Sequence, residues 1–234
     1  MAIDLDRATY FTTLPRAYYV DPAIHEREIE RIFHRQWRFF CLSGEVAERG
    51  AYQVQEVSGE QVIVVRGDEG GLHAHLNVCR HRGHAVCAAR AGTTRAFICP
   101  YHRWAFGLDG RLLTAPSMGD HEVIDYDAWG LHRVHVAEWH GLVFVNLDPG
   151  EPEPLLPALD ADGGDLLVIG PERLRVAADR TYEIAANWKV LLENYLECYH
   201  CVGNHPELCA TLDLAGKWDW GVGSGPLNPP VSRA

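Results

Sequence analysis

The chain has 234 residues, of which 47% are hydrophobic and 23% are charged, within the ordinary range for a globular protein of one large or two small domains. Its formal net charge of −11 argues against a nucleic-acid or anionic-membrane partner, because like charges repel. No apolar run approaches the length of a membrane span, and acidic residues stand near the start where a targeting peptide would carry basic ones. We therefore expect a cytoplasmic protein with reduced cysteines.

An N-terminal segment, residues 1–38, is predicted to hold one amphipathic helix over roughly residues 22–37. Asp21 supplies a helix cap, and Pro22 fits the first helical position. Apolar residues then recur at helical spacing with charged residues between them (Ile29, Ile32, Phe33 and Trp37). The apolar face requires a larger body against which it can pack.

Residues 39–148 are predicted to form a small antiparallel sandwich of short strands. Turns rich in Gly and Asp, such as Gly67-Asp68, separate runs rich in β-branched and aromatic residues. The six predicted strands are Tyr52–Val57, Gln61–Arg66, Leu72–Asn77, Arg95–Cys99, Leu131–Ala137 and Leu142–Leu147.

A further domain is predicted over residues 149–234. Residues 148–172 are rich in Pro, Gly and Asp, which indicates a linker with a helical turn or two. A strand is expected over about residues 173–185, followed by a helix that opens at Asn187 and runs through Tyr199.

Two matched pairs of metal-ligand residues fall in loops directly after predicted strands. Cys79 and His81 form a Cys-x-His pair, and Cys99 and His102 form a Cys-x-x-His pair. In a Rieske [2Fe–2S] centre, two cysteines hold one iron and two histidines hold the other. Zinc is the rival interpretation, but zinc fingers put both cysteines in one pair and both histidines in the other, whereas each pair here is mixed. The pattern favours the [2Fe–2S] cluster.

The residues around both pairs resemble the Rieske domain of the α subunits of Rieske non-haem iron oxygenases. The resemblance rests on Cys79-Arg-His81-Arg-Gly, on Cys99-Pro-Tyr-His102-x-Trp104, and on Asp109-Gly110 behind them. It implies an α+β fold: a mostly antiparallel sandwich of the Rieske iron–sulfur-protein type, then the first part of a helix-and-sheet catalytic domain of the helix-grip type. Arg103 departs from the family pattern, because many members carry Gly at that position.

A second constellation lies in the last predicted helix. Glu193, Glu197 and His200 recur at i, i+4 and i+7, on one helix face. His205 would lie about 140° away from His200 on a continuous helix. Both rings can reach one ion only if the helix bends or ends between them, which Pro206 favours because it restricts the residue before it. Two histidines and a carboxylate form the ligand set of mononuclear Fe(II) oxygenases; the alternative is a helix with a solvated acidic face and two incidental histidines.

The resemblance also implies roles for single residues of this helix. His200 and His205 match the two iron-binding histidines of the family, and Asn194 matches a polar residue near the iron. Glu197 matches the carboxylate that links a Rieske histidine of the neighbouring subunit to an iron histidine. The third iron ligand of the family, usually Asp, lies far downstream. In a chain that stops at Ala234 we therefore expect an incomplete iron site, either in a truncated or split gene product or in one that another polypeptide completes.

The function implied is that of an oxygenase component, typically trimeric. Electrons would pass from NAD(P)H through a flavin and iron–sulfur reductase, with or without a ferredoxin, to the [2Fe–2S] cluster and then across a subunit boundary to mononuclear Fe(II). There O₂ would be activated to hydroxylate or demethylate a small organic substrate. Glu at position 197 favours quaternary amines such as betaines slightly over aromatic rings, whose hydroxylases more often carry Asp there.

An alternative interpretation is a Rieske ferredoxin-like electron carrier, or an inactive fragment without the third iron ligand. Residues 40–147 alone would be sufficient for a carrier. The helix with Glu197, His200 and His205 speaks against it, because a carrier has no use for a second iron site.

Overall fold

A computed structural model of the chain describes residues 13–118, 124–196, 200–205 and 207–208. The chain divides into two compact units, one of residues 26–180 and one of residues 1–25 together with 181–234. Helices combined with antiparallel sheets confirm the predicted α+β fold class. Among the described residues, no helix is both long enough and apolar enough to cross a membrane.

In the described part of the unit of residues 26–180, ten antiparallel strands form two sheets. They are β1 Arg38–Leu42, β2 Ala51–Val57, β3 Glu60–Arg66, β4 Leu72–Leu76, β5 Ala91–Thr93, β6 Phe97–Ile98, β7 Ala105–Phe106, β8 Leu112–Thr114, β9 Arg133–Trp139 and β10 Leu142–Asn146. The larger sheet has the order β1-β10-β9-β4-β3-β2-β5, and the smaller has the order β6-β7-β8. Every pairing between neighbouring strands is antiparallel.

Strand β3 is buried on both of its faces. Val62 and Val64 belong to one apolar cluster, whereas Ile63 and Val65 belong to another, and all four side chains are 0% exposed. Successive side chains of a strand point to opposite faces, so a continuous apolar run fits a strand that is covered on both sides. Each of these side chains contributes roughly 1.5–3 kcal/mol through its burial. The cluster around Ile63 also contains Cys79, Cys99 and Trp104, which anchors the ligand loops in the core.

Each of the six predicted strands overlaps an observed strand, but four observed strands were not predicted. Three of these, β5, β7 and β8, have only two or three residues, too few to show an alternating pattern. The fourth, β1, begins one residue after the predicted end of the first helix and pairs with β10. The predicted domain limits at residues 38 and 148 stay predictions.

The helical regions differ from the expectation mainly in length. Helices α1 Ala17–Val20 and α2 Pro22–Glu28 lead into a π-helical turn, Ile29–Phe33, so the helix that was expected over residues 22–37 ends earlier. The expected linker contains α3 Leu155–Asp162, α4 Gly164–Val168 and a 3₁₀ turn, Pro171–Arg173.

The prediction of a strand over about residues 173–185 is wrong. Residues 174–184 have no strand hydrogen bonding, and Val176, Tyr182 and Ile184 are each more than half exposed. Apolar and β-branched residues make a strand only where a partner strand lies beside them, and no described strand pairs with this segment. The helix predicted from Asn187 is present as α5 Trp188–Leu196, and the short helix α6 Cys201–Asn204 follows. The predicted end of α5 at Tyr199 lies outside the described residues.

Candidate metal centres

Two loops with the same backbone hydrogen bonding carry the two Cys/His pairs. In the loop after β4, the N–H of Cys79 donates to the carbonyl of His84 at 2.8 Å. In the loop after β6, the N–H of Cys99 donates to the carbonyl of Trp104, also at 2.8 Å. Each cysteine therefore closes a ring of backbone that spans the same number of residues and contains the histidine of its pair. The prediction that both pairs lie in loops directly after strands is confirmed.

A residue in the left-handed backbone region completes each loop. Gly83 has φ 72° and donates its N–H to the carbonyl of Cys79 at 2.9 Å; Arg103 has φ 64° and donates to the carbonyl of Cys99 at 3.0 Å. Glycine adopts this backbone conformation without steric cost, whereas for a residue with a side chain the conformation costs roughly 1–2 kcal/mol of free energy. The departure from glycine at Arg103 is therefore a strained position.

The loops bring the four predicted ligands together. Cys79 and Cys99 are only 2% and 1% exposed, and the nearby Cys99 thiol contributes to the rise in the pKa of Cys79. The rings of His81 and His102 have centroids 4.5 Å apart and planes inclined at 64°. His81 is half-buried and His102 is exposed, so the thiols form the inner half of the site and the imidazoles form its outer rim.

Burial shifts the pKa values of a histidine and a cysteine of this site in opposite directions. Burial, and then the nearby His102 and Arg82, lower the pKa of His81, which favours the neutral imidazole that binds metals. Its Nδ1 atom is buried and has no hydrogen-bond partner among the described residues. Burial raises the pKa of Cys79, although the backbone amides of His81 and Arg82 oppose that rise. A bound metal ion removes the thiol proton outright.

Two buried thiols and two outer imidazoles fit a [2Fe–2S] group of the Rieske type, in which one iron takes both thiolates and the other takes both imidazoles. The unpartnered Nδ1 of His81 gives this fit a specific atom, because a buried nitrogen without a partner carries a cost that a bond to iron would remove. Within the described ranges, no three His, Cys, Asp or Glu side chains are placed to hold a single metal ion.

Asn77 joins the two ends of the first ligand loop. Its side chain is 4% exposed, and its Oδ1 accepts hydrogen bonds from the backbone N–H of Val86 at 3.0 Å and of Cys87 at 2.8 Å. Its Nδ2 donates to the carbonyl of Cys87 at 2.8 Å and to Oε1 of Gln61 at 3.0 Å. The sequence reasoning missed this residue; its only signal is an amide side chain at the end of the predicted strand Leu72–Asn77.

Aromatic side chains hold both histidine rings. Trp104 is 1% exposed and stacks on His81, with centroids 4.9 Å apart and planes within 4° of parallel. The rings of Tyr101 and His102 have centroids 3.9 Å apart. These contacts restrict the rotation of both rings, and spacing along the chain gives no indication of them.

The predicted iron histidines lie on either side of α6. His200 directly precedes this helix and His205 directly follows it, with φ −135° and ψ 59°, outside the helical region. The ring centroids are 5.5 Å apart and the ring planes are inclined at 78°. The predicted end of the helix between the two rings is therefore confirmed, and it lets them approach each other.

The other residues predicted for this second site are less fully placed. Asn194 is exposed on α5, and Glu197 lies outside the described residues. Glu193 accepts a 2.5 Å hydrogen bond from the hydroxyl of Tyr19, which raises the pKa of that tyrosine. Lys189 is 7% exposed, with its ammonium group 5.0 Å from the ring centroid of Trp188. These contacts of Tyr19 and Lys189 have no signal in the sequence.

Two family profiles match separate parts of the chain. Residues 36–134 match the profile described as the Rieske [2Fe-2S] domain, and residues 171–218 match the one described as the ring hydroxylating alpha subunit (catalytic domain). The first match contains both ligand loops, and the second contains His200 and His205.

Among curated proteins, the glycine betaine monooxygenase oxygenase subunit of Chromohalobacter salexigens is 40% identical over 203 residues, which cover 86% of this chain and 44% of that protein. The carnitine monooxygenase oxygenase subunit of Escherichia coli is 37% identical over 210 residues, covering 88% of this chain and 55% of that protein. The chain thus spans about half the length of the curated relatives that it matches.

Solved structures of similar proteins cover most of the chain. The quaternary ammonium Rieske monooxygenase CntA in complex with L-carnitine has a TM-score of 0.77 at 33% identity, over 85% of this chain and 56% of its own. Naphthalene 1,2-dioxygenase from Rhodococcus sp. has a TM-score of 0.72 at 34% identity, over 83% of this chain and 46% of its own.

Proposed function

Because the chain belongs to the family of Rieske non-haem iron oxygenase α subunits, we propose that it is the iron-binding component of an O₂-dependent oxygenase. The observation that carries the proposal is the arrangement of the four Cys and His side chains. Their thiols are buried, their imidazoles form an outer rim, and one of the imidazoles has a buried nitrogen with no hydrogen-bond partner in the described part of the chain. This arrangement lies within the part of the chain that matches the Rieske domain.

In this proposal Cys79 and Cys99 hold one iron of a [2Fe–2S] cluster, and His81 and His102 hold the other. When bound, the cluster supplies single electrons and a mononuclear iron supplies the position at which O₂ is activated. The protein encloses the thiol side of the site in its core and leaves the ring of His102 exposed. The histidine rim is therefore the side from which an electron can leave toward an acceptor.

The mononuclear iron is proposed to lie between His200 and His205. The short helix α6 sets the separation of the two rings, and the non-helical backbone of His205 turns its ring toward the other. Glu197 is proposed to connect this site to a Rieske histidine of a neighbouring subunit, as the resemblance implies, and Asn194 to lie near the iron. Both roles rest on their places in the motif.

The proposed partners follow from this chemistry. The electrons come from NAD(P)H through a separate flavin and iron–sulfur reductase, and the substrates are O₂ and a small organic molecule. A homo-oligomer is proposed because the route through Glu197 joins two subunits. The proposed location is the cytoplasm, and the free thiols of Cys41, Cys79, Cys87 and Cys99 are consistent with it.

A quaternary amine is the proposed substrate class. Relatives in two groups act, by their names, on glycine betaine and on carnitine, and the structure of CntA contains L-carnitine. The aromatic-ring alternative is represented by naphthalene 1,2-dioxygenase, whose TM-score is lower. The relatives named for glycine betaine and carnitine therefore support the amine.

Iron and acid-labile sulfide, counted in anaerobically purified protein, test the metal assignment. We expect the cluster to contribute two irons and two sulfides per chain, which are lost in His81→Ala, and we expect iron in excess of two per chain to be lost in His200→Ala with both sulfides retained. Two irons and two sulfides that do not change in His200→Ala would leave an electron carrier as the better function. Zinc without sulfide would refute the whole assignment.

A single-turnover experiment tests the substrate class. The chemically reduced protein is mixed with O₂ and either glycine betaine, carnitine or naphthalene, and the products are identified by mass spectrometry. We expect oxidation of an N-methyl group of one of the amines and no product from naphthalene. A hydroxylated ring without amine oxidation would reverse the proposed preference.

A further inference from the structure

A continuous line of ring contacts runs from the predicted ligand His81 to the protein surface. His81 stacks on the buried Trp104 at 4.9 Å, and Trp104 meets Trp129 edge to face at 5.7 Å, with planes inclined at 72°. Trp129 is 38% exposed, although a large aromatic side chain is costly to leave in water. The three rings thus connect the inner face of His81 with solvent on a side that does not involve His102.

One cationic side chain lies at the outer end of this line, and an adjoining cleft contains two more. The guanidinium group of Arg80 lies 5.8 Å from the ring centroid of Trp129 and donates a hydrogen bond to the carbonyl of Gly130 at 2.9 Å. A cleft of about 190 Å³ beside them is lined by Arg80, Arg111 and Arg133, and also by Asp109 and Asp127. Three arginines against two aspartates make this cleft net positive, in a chain whose overall formal charge is −11.

We propose that the surface formed by Trp129, Arg80 and the adjoining cleft docks an acidic one-electron donor protein, and that electrons reach the cluster through Trp129, Trp104 and His81. The inference rests on the proposed function, because it requires a cluster at His81. A partner with acidic side chains fits because positive and negative surfaces attract each other, which steers the encounter. Exposed tryptophan and arginine are also the residues that most often anchor protein interfaces.

The step itself is a transfer of one electron. The iron–sulfur or flavin centre of the donor is oxidised by one electron, the Rieske centre is reduced by one electron, and no bond forms or breaks. The contacts between the rings provide a path through packed atoms with no gap filled by solvent.

The exposed rim of His102 and Tyr101 is the proposed side from which electrons leave. Trp129 reaches His81 through Trp104, and this path does not involve His102.

Stopped-flow reduction of the cluster tests the inference, with reduced plant-type [2Fe–2S] ferredoxin as the probe, an acidic carrier whose potential lies below that of Rieske centres. In Trp129→Leu we expect a several-fold slower limiting rate at saturating ferredoxin. In Arg80→Gln we expect a several-fold weaker affinity for ferredoxin by titration calorimetry and a smaller dependence of that affinity on salt. Phe39→Leu, which changes another exposed aromatic side chain (55% exposed), is the matched control and should leave both quantities unchanged.

The rival route is tested by Tyr101→Leu, which removes the exposed ring against His102. If Tyr101→Leu slows the reduction and Trp129→Leu does not, electrons arrive at the histidine rim and the inference is wrong. Unchanged affinity and salt dependence in Arg80→Gln would refute the docking surface. The visible spectrum and reduction potential of each variant must match the wild type, so that a damaged cluster is not mistaken for a slower route. If the wild type shows no cluster spectrum, the proposed function fails; a normal spectrum with normal rates in Trp129→Leu overturns this inference alone.

Discussion

Replacement of Asn77 by alanine should loosen the loop that carries Cys79 and His81. The side chain of Asn77 makes four hydrogen bonds, two of them to backbone N–H groups at the far end of that loop. Because the residue is 4% exposed, water cannot easily replace these bonds. The substitution leaves the four predicted metal ligands unchanged, so its effect reports on how the loop is held.

The expected loss follows from the bonds removed. A net contribution near 1 kcal/mol for each of the four hydrogen bonds gives a decrease of about 4 kcal/mol in the free energy of unfolding, and unsatisfied buried amides can increase it. For a protein of this size, such a change corresponds to a fall of about 10 °C in melting temperature. We also expect less iron and sulfide per chain, since the first ligand pair is no longer fixed.

Thermal melting at a single scan rate and iron analysis of anaerobically purified protein provide the two readouts. Gln61→Ala is the matched control. It removes only the hydrogen bond that the exposed Gln61 accepts from Nδ2 of Asn77, and it should lower the free energy of unfolding by less than about 1 kcal/mol. A melting temperature of Asn77→Ala equal to that of the control, together with full iron and sulfide content, would show that Asn77 does not hold the loop.

Three further predictions concern pH, backbone strain and a buried cation. Burial lowers the pKa of His75 to about 4 from an ordinary value of 6.5, so the unfolded chain takes up the proton first; stability is full above pH 6.5 and falls as the pH decreases toward 4. Urea unfolding of the wild type should therefore lose about 2 kcal/mol more between pH 7 and pH 5 than that of His75→Phe, and equal losses would contradict the shift. Arg103→Gly should raise the free energy of unfolding by about 1 kcal/mol and Gly83→Ala should lower it by a similar amount, because both positions have positive φ; opposite signs in urea unfolding would exclude strain as the cause. Arg66→Met should lower the free energy of unfolding by about 3 kcal/mol, because this side chain donates hydrogen bonds to four acceptors and is only 13% exposed. Arg49→Met should lower it by less than about 0.5 kcal/mol, because that side chain is 55% exposed. Similar melting temperatures for the two variants would refute the distinction.

Local chemistry explains why much of the site was readable from sequence. A ligand set is defined by residue type and by short spacing, so Cys79, His81, Cys99 and His102 stood out before any contact was known. The end of the helix between His200 and His205 was also predicted, because Pro206 restricts the backbone of its neighbour. Long strands such as β3 were predicted because they contain a continuous run of apolar residues bounded by turn residues.

Contacts between distant parts of the chain explain what the sequence did not reveal. The strand expected near residue 180 has suitable residues but no described partner strand, and pairing is a property of the whole sheet. Asn77 looked like an ordinary strand end until the fold placed the backbone of Val86 and Cys87 around its side chain.

By itself, then, the sequence determined the ligand types, their pairing and the α+β class, since these depend on neighbouring residues and on the periodicity of apolar positions. The tertiary structure alone decided that the thiols face the core while the imidazoles face outward, and that Trp129 meets a tryptophan twenty-five positions earlier in the chain. It also decided that Arg103 must adopt a left-handed conformation. These features arise from packing and loop closure, which bring together residues whose separation along the chain carries no signal of their contact.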